Sequence, residues 1–100
     1  MTTFEDLEDR VRSAVSKVVD ASEVERIVKK VLNAAAFYER NKNLVRGTGL
    51  SRLWEASAKA NLRNAIGRIA EGDYDREYLE YLLKTIDDMR YILEKIYGYS

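Results

Sequence analysis

Residues 46–72, RGTGLSRLWEASAKANLRNAIGRIAEG, decide the fold of this chain. Gly47 and Gly49 precede a stretch in which apolar residues recur every three or four positions, the period of an α-helix. Gly72 follows, where helices often end in a left-handed residue. The pattern predicts a tight turn, a long amphipathic helix and a stop. The residues expected on its apolar face are Leu50, Leu53, Trp54, Ala58, Leu62, Ala65, Ile66 and Ile69.

The chain before this stretch has the same helical period. The first helix is predicted to begin at Thr2 or Thr3, because Thr2 and Glu5 have the spacing of a capping box. Its apolar stripe extends to Val19. Near residues 20–22 two overlapping capping patterns interrupt the period, which favours a corner between two helices there. The pattern leaves one continuous helix open as the alternative.

Two more helices complete the prediction. The second has its apolar face within residues 24–38 and is expected to end at residues 41–43, Asn-Lys-Asn, whose side chains compete for main-chain hydrogen bonds. The last helix carries apolar positions over residues 79–96, and Asp73 or Asp75 is expected to cap it.

The chain has 100 residues, the size of one domain. We therefore predict an all-α fold, a compact bundle of about four antiparallel helices in which residues 1–100 form a single domain. The chain contains neither cysteine nor histidine, which removes thiolate metal sites and the commonest general base. We expect no enzymatic activity, no cofactor and no metal site. Many charged and few thermolabile residues are typical of thermophilic proteins.

The N-terminal residues are acidic and lack the basic and apolar regions of a signal peptide. No apolar run approaches the roughly 18–20 residues that cross a membrane. The sequence thus predicts a cytoplasmic protein without a membrane partner.

Charge is unevenly placed although the net charge is zero. Residues 31–70 carry seven basic and two acidic side chains, whereas residues 71–100 carry four basic and eight acidic ones. Because phosphate backbones bind cationic side chains on a rigid element, the basic middle is a candidate nucleic-acid contact. A solvated helix face, neutralised by the acidic last helix, explains the same pattern. The candidate polyanion contacts are Arg40, Lys42, Arg46, Arg52, Lys59 and Arg63.

The glycine turn before the third helix is a second candidate anion site, since helix N-termini present free amides. It matches neither a Walker A sequence nor a dinucleotide fingerprint, and no strand precedes it. A plain turn between helices is the favoured interpretation. Thr48 or Ser51 is expected to cap the helix that follows.

Acidic side chains recur along the last helix. Glu77 and Glu80, followed by Asp87 and Asp88, resemble in general arrangement the paired acidic motifs with which all-α nucleotide pyrophosphohydrolases hold magnesium. Lys84 stands where the second motif needs its first acid. A magnesium-dependent hydrolase is therefore a minor alternative, and a solvated helix face is the better account.

Six of the seven tyrosines lie in the last 27 residues. Tyrosine is enriched at protein interfaces because it offers rigid, half-polar contact area. A last helix that is apolar or aromatic over most of its surface predicts that a partner covers it. The predicted interface residues are Tyr74, Tyr78, Tyr81, Tyr91 and Tyr97.

Together these patterns predict a non-enzymatic helical-bundle interaction protein. It self-associates or serves as a small subunit of a larger assembly, and its basic third helix contacts a nucleic-acid backbone. The alternative is a small regulator or inhibitor, similar to an antitoxin, that binds another protein. The many small residues of the third helix, Gly67 among them, predict close packing against a neighbouring helix.

Overall fold

A computed structural model describes residues 4–100, and this part of the chain forms four α-helices without a strand. Helix α1 spans Phe4–Val15, α2 spans Ala21–Asn41, α3 spans Leu50–Glu71 and α4 spans Arg76–Lys95. The predicted all-α bundle of four helices is confirmed. None of the four is both long enough and apolar enough to cross a bilayer.

The first two helices are separate, as the corner near residues 20–22 predicted. Helix α1 ends at Val15, earlier than its apolar stripe suggested, and the chain turns before α2 begins after Asp20. The Asp20 side chain makes no capping hydrogen bond. The capping box proposed for Thr2 and Glu5 involves a residue outside the described part of the chain.

Two of the three helix caps predicted for α3 and α4 are present in the structure. Asp75 caps α4, because its side chain accepts a hydrogen bond from the Tyr78 amide at 2.8 Å. Gly72 follows α3 with φ +80°, as predicted for a residue that ends a helix. The cap predicted for the start of α3 was wrong. Its N-cap is Gly49 at φ +58°, a region that favours glycine, and no side chain caps the helix.

Helices α2 and α3 form the middle of the bundle, because each contacts all three other helices. Helices α1 and α4 lie apart on either side, and α3 packs most extensively against α4. The apolar stripes of all four helices contribute residues to one core, and burying one large apolar side chain contributes about 1.5–3 kcal/mol. The largest fully buried apolar residues are Phe37, Leu62, Ile69, Leu79, Ile86, Leu93, Val11, Val15 and Val31.

The first turns of α3 depart from the prediction. Leu50, Leu53 and Trp54 were expected on the core face, but they are exposed, Trp54 to 70%. The side of α3 that faces the core instead carries Ala58, the buried Glu55 and the half-buried Ser51. These positions are three and four residues apart and therefore share one face of the helix. The apolar residues flank that face and therefore project to the surface.

Candidate functional site

Glu55 is the most unusual residue of the bundle, a carboxylate that is only 2% exposed. It accepts hydrogen bonds from the main-chain amides of Arg46 and Gly47, each at 2.9 Å, and from the Tyr99 hydroxyl. These amides belong to the glycine turn that was considered as a phosphate site. The protein's own carboxylate therefore occupies the position that an anion would take.

Two segments close over Glu55. The turn packs tightly on the start of α3, because a Cβ added to Gly47 would lie 2.9 Å from main-chain atoms of Ser51 and Arg52. The C-terminal segment brings Tyr99 into the core, where its ring lies 6.5 Å from the ring of Phe37. Sequence reasoning missed this arrangement. The available signal was an acidic residue on the core-facing side of α3.

Opposing effects act on the pKa of Glu55. Burial raises the pKa, whereas the hydrogen bonds from Tyr99, Gly47 and Arg46 and the charge of Lys59 lower it. The net pKa lies below the ordinary value of a glutamate. In the same contact, burial foremost and the Glu55 carboxylate next raise the pKa of Tyr99. A charged Glu55 and a neutral Tyr99 are the forms that this geometry stabilises.

Three of the six predicted polyanion contacts take part in this same region of the fold. The Arg46 guanidinium lies 5.6 Å from the centre of the Tyr99 ring. Lys59 donates hydrogen bonds to the main-chain oxygens of Lys42 and Leu44, and burial lowers the pKa of Lys59. The Arg40 guanidinium donates to the main-chain oxygen of Ser100 at 3.2 Å. These three cations therefore stabilise the loop and the tail.

Arg52 and Arg63 differ, because neither guanidinium has a hydrogen-bond or ion-pair partner within residues 4–100. Together with Tyr38, Lys42 and Lys59 they line a hollow of about 350 Å³ between α2 and α3. Lys42 forms an ion pair with Glu39 at 2.6 Å. We call this hollow the basic cleft. The structure therefore brings four of the six predicted residues together around it.

The five predicted interface tyrosines fall into two groups. Tyr74 and Tyr97 are half-buried, with hydroxyls that donate to the main-chain oxygens of Ile69 at 2.9 Å and Ser51 at 2.6 Å. Burial raises the pKa of Tyr74 to about 12. Tyr78, Tyr81 and Tyr91 are exposed. Only these three offer free contact area.

The exposed tyrosines in turn occupy different sides of α4. Tyr78 and Tyr81 stack at 5.7 Å between ring centres, and the Arg68 guanidinium of α3 lies 5.8 Å from the Tyr78 ring. Tyr91 is ten residues beyond Tyr81 and so projects about 80° away from it around the helix. The pair at 78 and 81 faces α3, and Tyr91 faces outward with Lys84.

A continuous groove runs along the outer junction of α3 and α4. It consists of two hollows of about 470 and 420 Å³, which share Asn61 and Met89. Trp54 and Ile96 stand at one end, and the stacked tyrosines stand at the other. We call it the α3–α4 groove. Its remaining lining residues are Ser51, Ser57, Ala58, Asn64, Ala65, Arg68, Leu82, Thr85, Asp88, Ile92 and Tyr97.

The acidic residues of α4 do not converge. Glu80 forms an ion pair with Arg76 at 3.3 Å, and Asp87 with Lys30 at 2.7 Å. Across residues 4–100, no group of three acidic side chains is placed to hold a metal ion. This geometry lends no support to the alternative of a magnesium-dependent hydrolase.

Another hollow, of about 920 Å³, lies between α1 and the loop before α4. Its lining mixes side chains of both signs, Arg10 and Lys17 with Asp9 and Asp73, and it includes no large exposed apolar residue. Such a lining favours no single class of ligand. No family model, no curated protein and no solved structure matches this chain.

Proposed function

We propose that this protein is a non-enzymatic, cytoplasmic interaction domain that self-associates through the α3–α4 groove. The observation that carries the proposal is the exposure of Trp54, Ile96, Tyr78 and Tyr81 along one continuous groove. Large apolar side chains grouped on one surface of a soluble domain typically mark an interaction site. Tryptophan, tyrosine and arginine are also the residues that dominate binding energy at interfaces.

The two ends of the groove are chemically complementary, which favours a second copy of the chain as the partner. The end with Trp54 and Ile96 carries no charge, and the other end carries Arg68 beside Tyr78. A two-fold axis through the middle, near Asn61, would place Trp54 of one copy against Arg68 of the other. A cation over a tryptophan ring is attracted to it, most strongly when water is excluded.

Two further properties agree with self-association. The middle of the groove has short polar side chains, Ser57, Asn61 and Asn64, which permit close approach and supply hydrogen bonds. The net charge is zero, so two copies do not repel each other strongly.

Sedimentation equilibrium across micromolar concentrations tests the proposal. We expect a mass of twice 11.6 kDa, and at least about 30-fold weaker association for Trp54→Ala or Tyr81→Ala, since an interface hot spot contributes about 2 kcal/mol or more and each variant removes it from both copies. Tyr91→Ala is the matched control, because Tyr91 is 64% exposed and Tyr81 is 60% exposed. The control should associate like the wild type.

Trp54 provides an independent readout because it is the sole tryptophan. Its fluorescence should shift to shorter wavelength as concentration rises and the indole leaves water. A protein that remains monomeric with unshifted emission would contradict self-association. That result would favour the alternative, a small regulator that binds another protein.

A second partner is proposed for the basic cleft, namely a polyanion such as a nucleic-acid backbone. The observation that favours it is that the guanidiniums of Arg52 and Arg63, which have no partner among residues 4–100, lie beside Lys42 and Lys59. Binding of inorganic polyphosphate that weakens with salt and with Arg52→Ala/Arg63→Ala would support this proposal. Absence of binding at low salt would refute it.

A further inference from the structure

We infer that the polyanion of the basic cleft is a single-stranded nucleic acid, with its backbone along α3 from Arg52 to Arg63 and one base against Tyr38. The inference rests on the polyanion contact proposed for this cleft and specifies the form of the ligand. It does not depend on self-association.

The spacing of the unpaired cations suits a strand. Arg52 and Arg63 are 11 residues apart, or about three helical turns, so they project from the same side of α3 with about 16 Å between them along its axis. Phosphates of one strand follow one another at roughly 3.4 Å along the axis of a B-form duplex, and a single strand is more extended, so this distance spans at most about five nucleotides. Guanidinium groups also match the geometry of phosphate oxygens, to which they can donate two parallel hydrogen bonds.

The other charges of the cleft leave this site positive. Glu39 is paired with Lys42, and the Glu55 carboxylate is bound by amides and by the Tyr99 hydroxyl. Lys59 is held by loop carbonyls but contributes its charge to the cleft. Arg52 and Arg63 are therefore two cations in excess. Their exposed guanidiniums are free to turn toward a phosphate.

The shape of the cleft favours a single strand over a duplex. A hollow of about 350 Å³ can admit one nucleobase, whereas paired bases inside a duplex cannot enter it. Tyr38 lines the hollow with a half-buried ring. Basic grooves with an aromatic ring for base stacking are the usual means by which proteins hold single strands.

The cleft stays open when the α3–α4 groove is covered. Arg52 and Trp54 are two residues apart and project about 200° from each other around α3. Trp54 lines the groove and Arg52 lines the cleft. The two surfaces therefore occupy opposite flanks of one helix.

The experiment measures fluorescence anisotropy of a labelled single strand of about 12 nucleotides, within the site sizes of known single-strand binders. The matching duplex and inorganic polyphosphate are compared at two salt concentrations. We expect the single strand to bind at least about fivefold more tightly than the duplex. Tyr38→Leu should weaken binding of the single strand about fivefold or more, as loss of one stacked base predicts, and leave the affinity for polyphosphate unchanged.

Arg52→Ala/Arg63→Ala should weaken the binding of every polyanion. For the single strand it should also reduce the steepness of log affinity against log salt by about 1.4, since each single-strand phosphate contact contributes roughly 0.7. The matched control is Arg10→Ala/Lys29→Ala, which removes two exposed cations outside the cleft and should bind like the wild type. Circular dichroism confirms that each variant is folded.

The results distinguish a single-stranded ligand from the more general polyanion contact proposed for the basic cleft. Polyphosphate binding with equal affinity for duplex and single strand, or with no effect of Tyr38→Leu, would overturn the inference and leave the polyanion contact standing. Binding of none of the three probes would overturn both. Equal losses in the control and in the cleft variant would show that net charge, not the cleft, binds the strand.

Discussion

The Glu55 carboxylate on α3 accepts a hydrogen bond from the hydroxyl of Tyr99, 44 residues later in the chain. The same carboxylate accepts hydrogen bonds from the amides of Arg46 and Gly47, and the oxygen of the Tyr99 hydroxyl lies 3.0 Å from the main-chain oxygen of Leu44. One buried acid thus joins the turn before α3 to the C-terminal segment. Its removal should loosen both.

Glu55→Gln is expected to lower the free energy of unfolding by about 2 kcal/mol or more. The amide keeps the shape of the side chain, but its NH₂ group faces hydrogen-bond donors, and a buried group left unpaired costs about 1–3 kcal/mol. Urea titration followed by circular dichroism measures the change. Glu77→Gln alters an exposed acid and serves as the control. Equal midpoints for Glu55→Gln and the wild type would contradict the structural role of Glu55.

Tyr99→Phe should destabilise the protein by about 1–2 kcal/mol, because the ring remains packed while one buried hydroxyl is lost. Combined with Glu55→Gln, the loss should be smaller than the sum of the single losses, since both variants remove the same hydrogen bond. A double-mutant cycle from urea titrations measures this coupling. Strict additivity would mean that the two side chains do not interact in solution.

Acid should reduce the advantage of the wild type over Glu55→Gln. The pKa of Glu55 in the folded protein is below its ordinary value, so its charge stabilises the fold above the unfolded pKa of about 4.3. That contribution is lost as pH falls from there through the folded pKa. Urea midpoints of both proteins at neutral and acidic pH test this. A stability difference that is constant with pH would be inconsistent with a charged Glu55.

Two glycines should respond oppositely to alanine. At Gly47 the added Cβ would meet main-chain atoms of Ser51 and Arg52 at 2.9 Å, which cannot move aside cheaply, so we expect a loss of about 1–3 kcal/mol. At Gly67, within α3, an added Cβ would meet no described atom within 4 Å beyond the neighbouring backbone of its own helix, so alanine should stabilise by about 0.5–1 kcal/mol. Thermal unfolding compares the two variants. A stabilised Gly47→Ala protein would show that the turn is not packed as described.

Local patterns in the sequence predicted the helices well because their causes are local. The end of α2 near Asn41, the cap at Asp75 and the stop at Gly72 each follow from hydrogen bonds or φ values within a few residues. The sequence did not predict Gly49 as the N-cap of α3. A side-chain cap was expected there, whereas no side chain caps this helix.

The side of α3 that faces the core could not be read with the same success. Leu50, Leu53 and Trp54 satisfy the helical period, yet they are exposed and Glu55 is the buried residue in the first turns of α3. Periodicity identifies a stripe of apolar residues, but it does not show which of two adjacent stripes packs against the other helices. A carboxylate becomes acceptable inside only when its hydrogen-bond partners are present.

The sequence by itself determined that this is an all-α bundle with a basic middle and a tyrosine-rich last helix, because period, capping and charge are properties of neighbouring residues. Tertiary structure alone decided that Glu55 takes the amides of the glycine turn and that Arg52 and Arg63 remain unpaired across the described chain. It also decided which tyrosines are exposed. These outcomes depend on contacts between distant segments, and only packing brings those segments together.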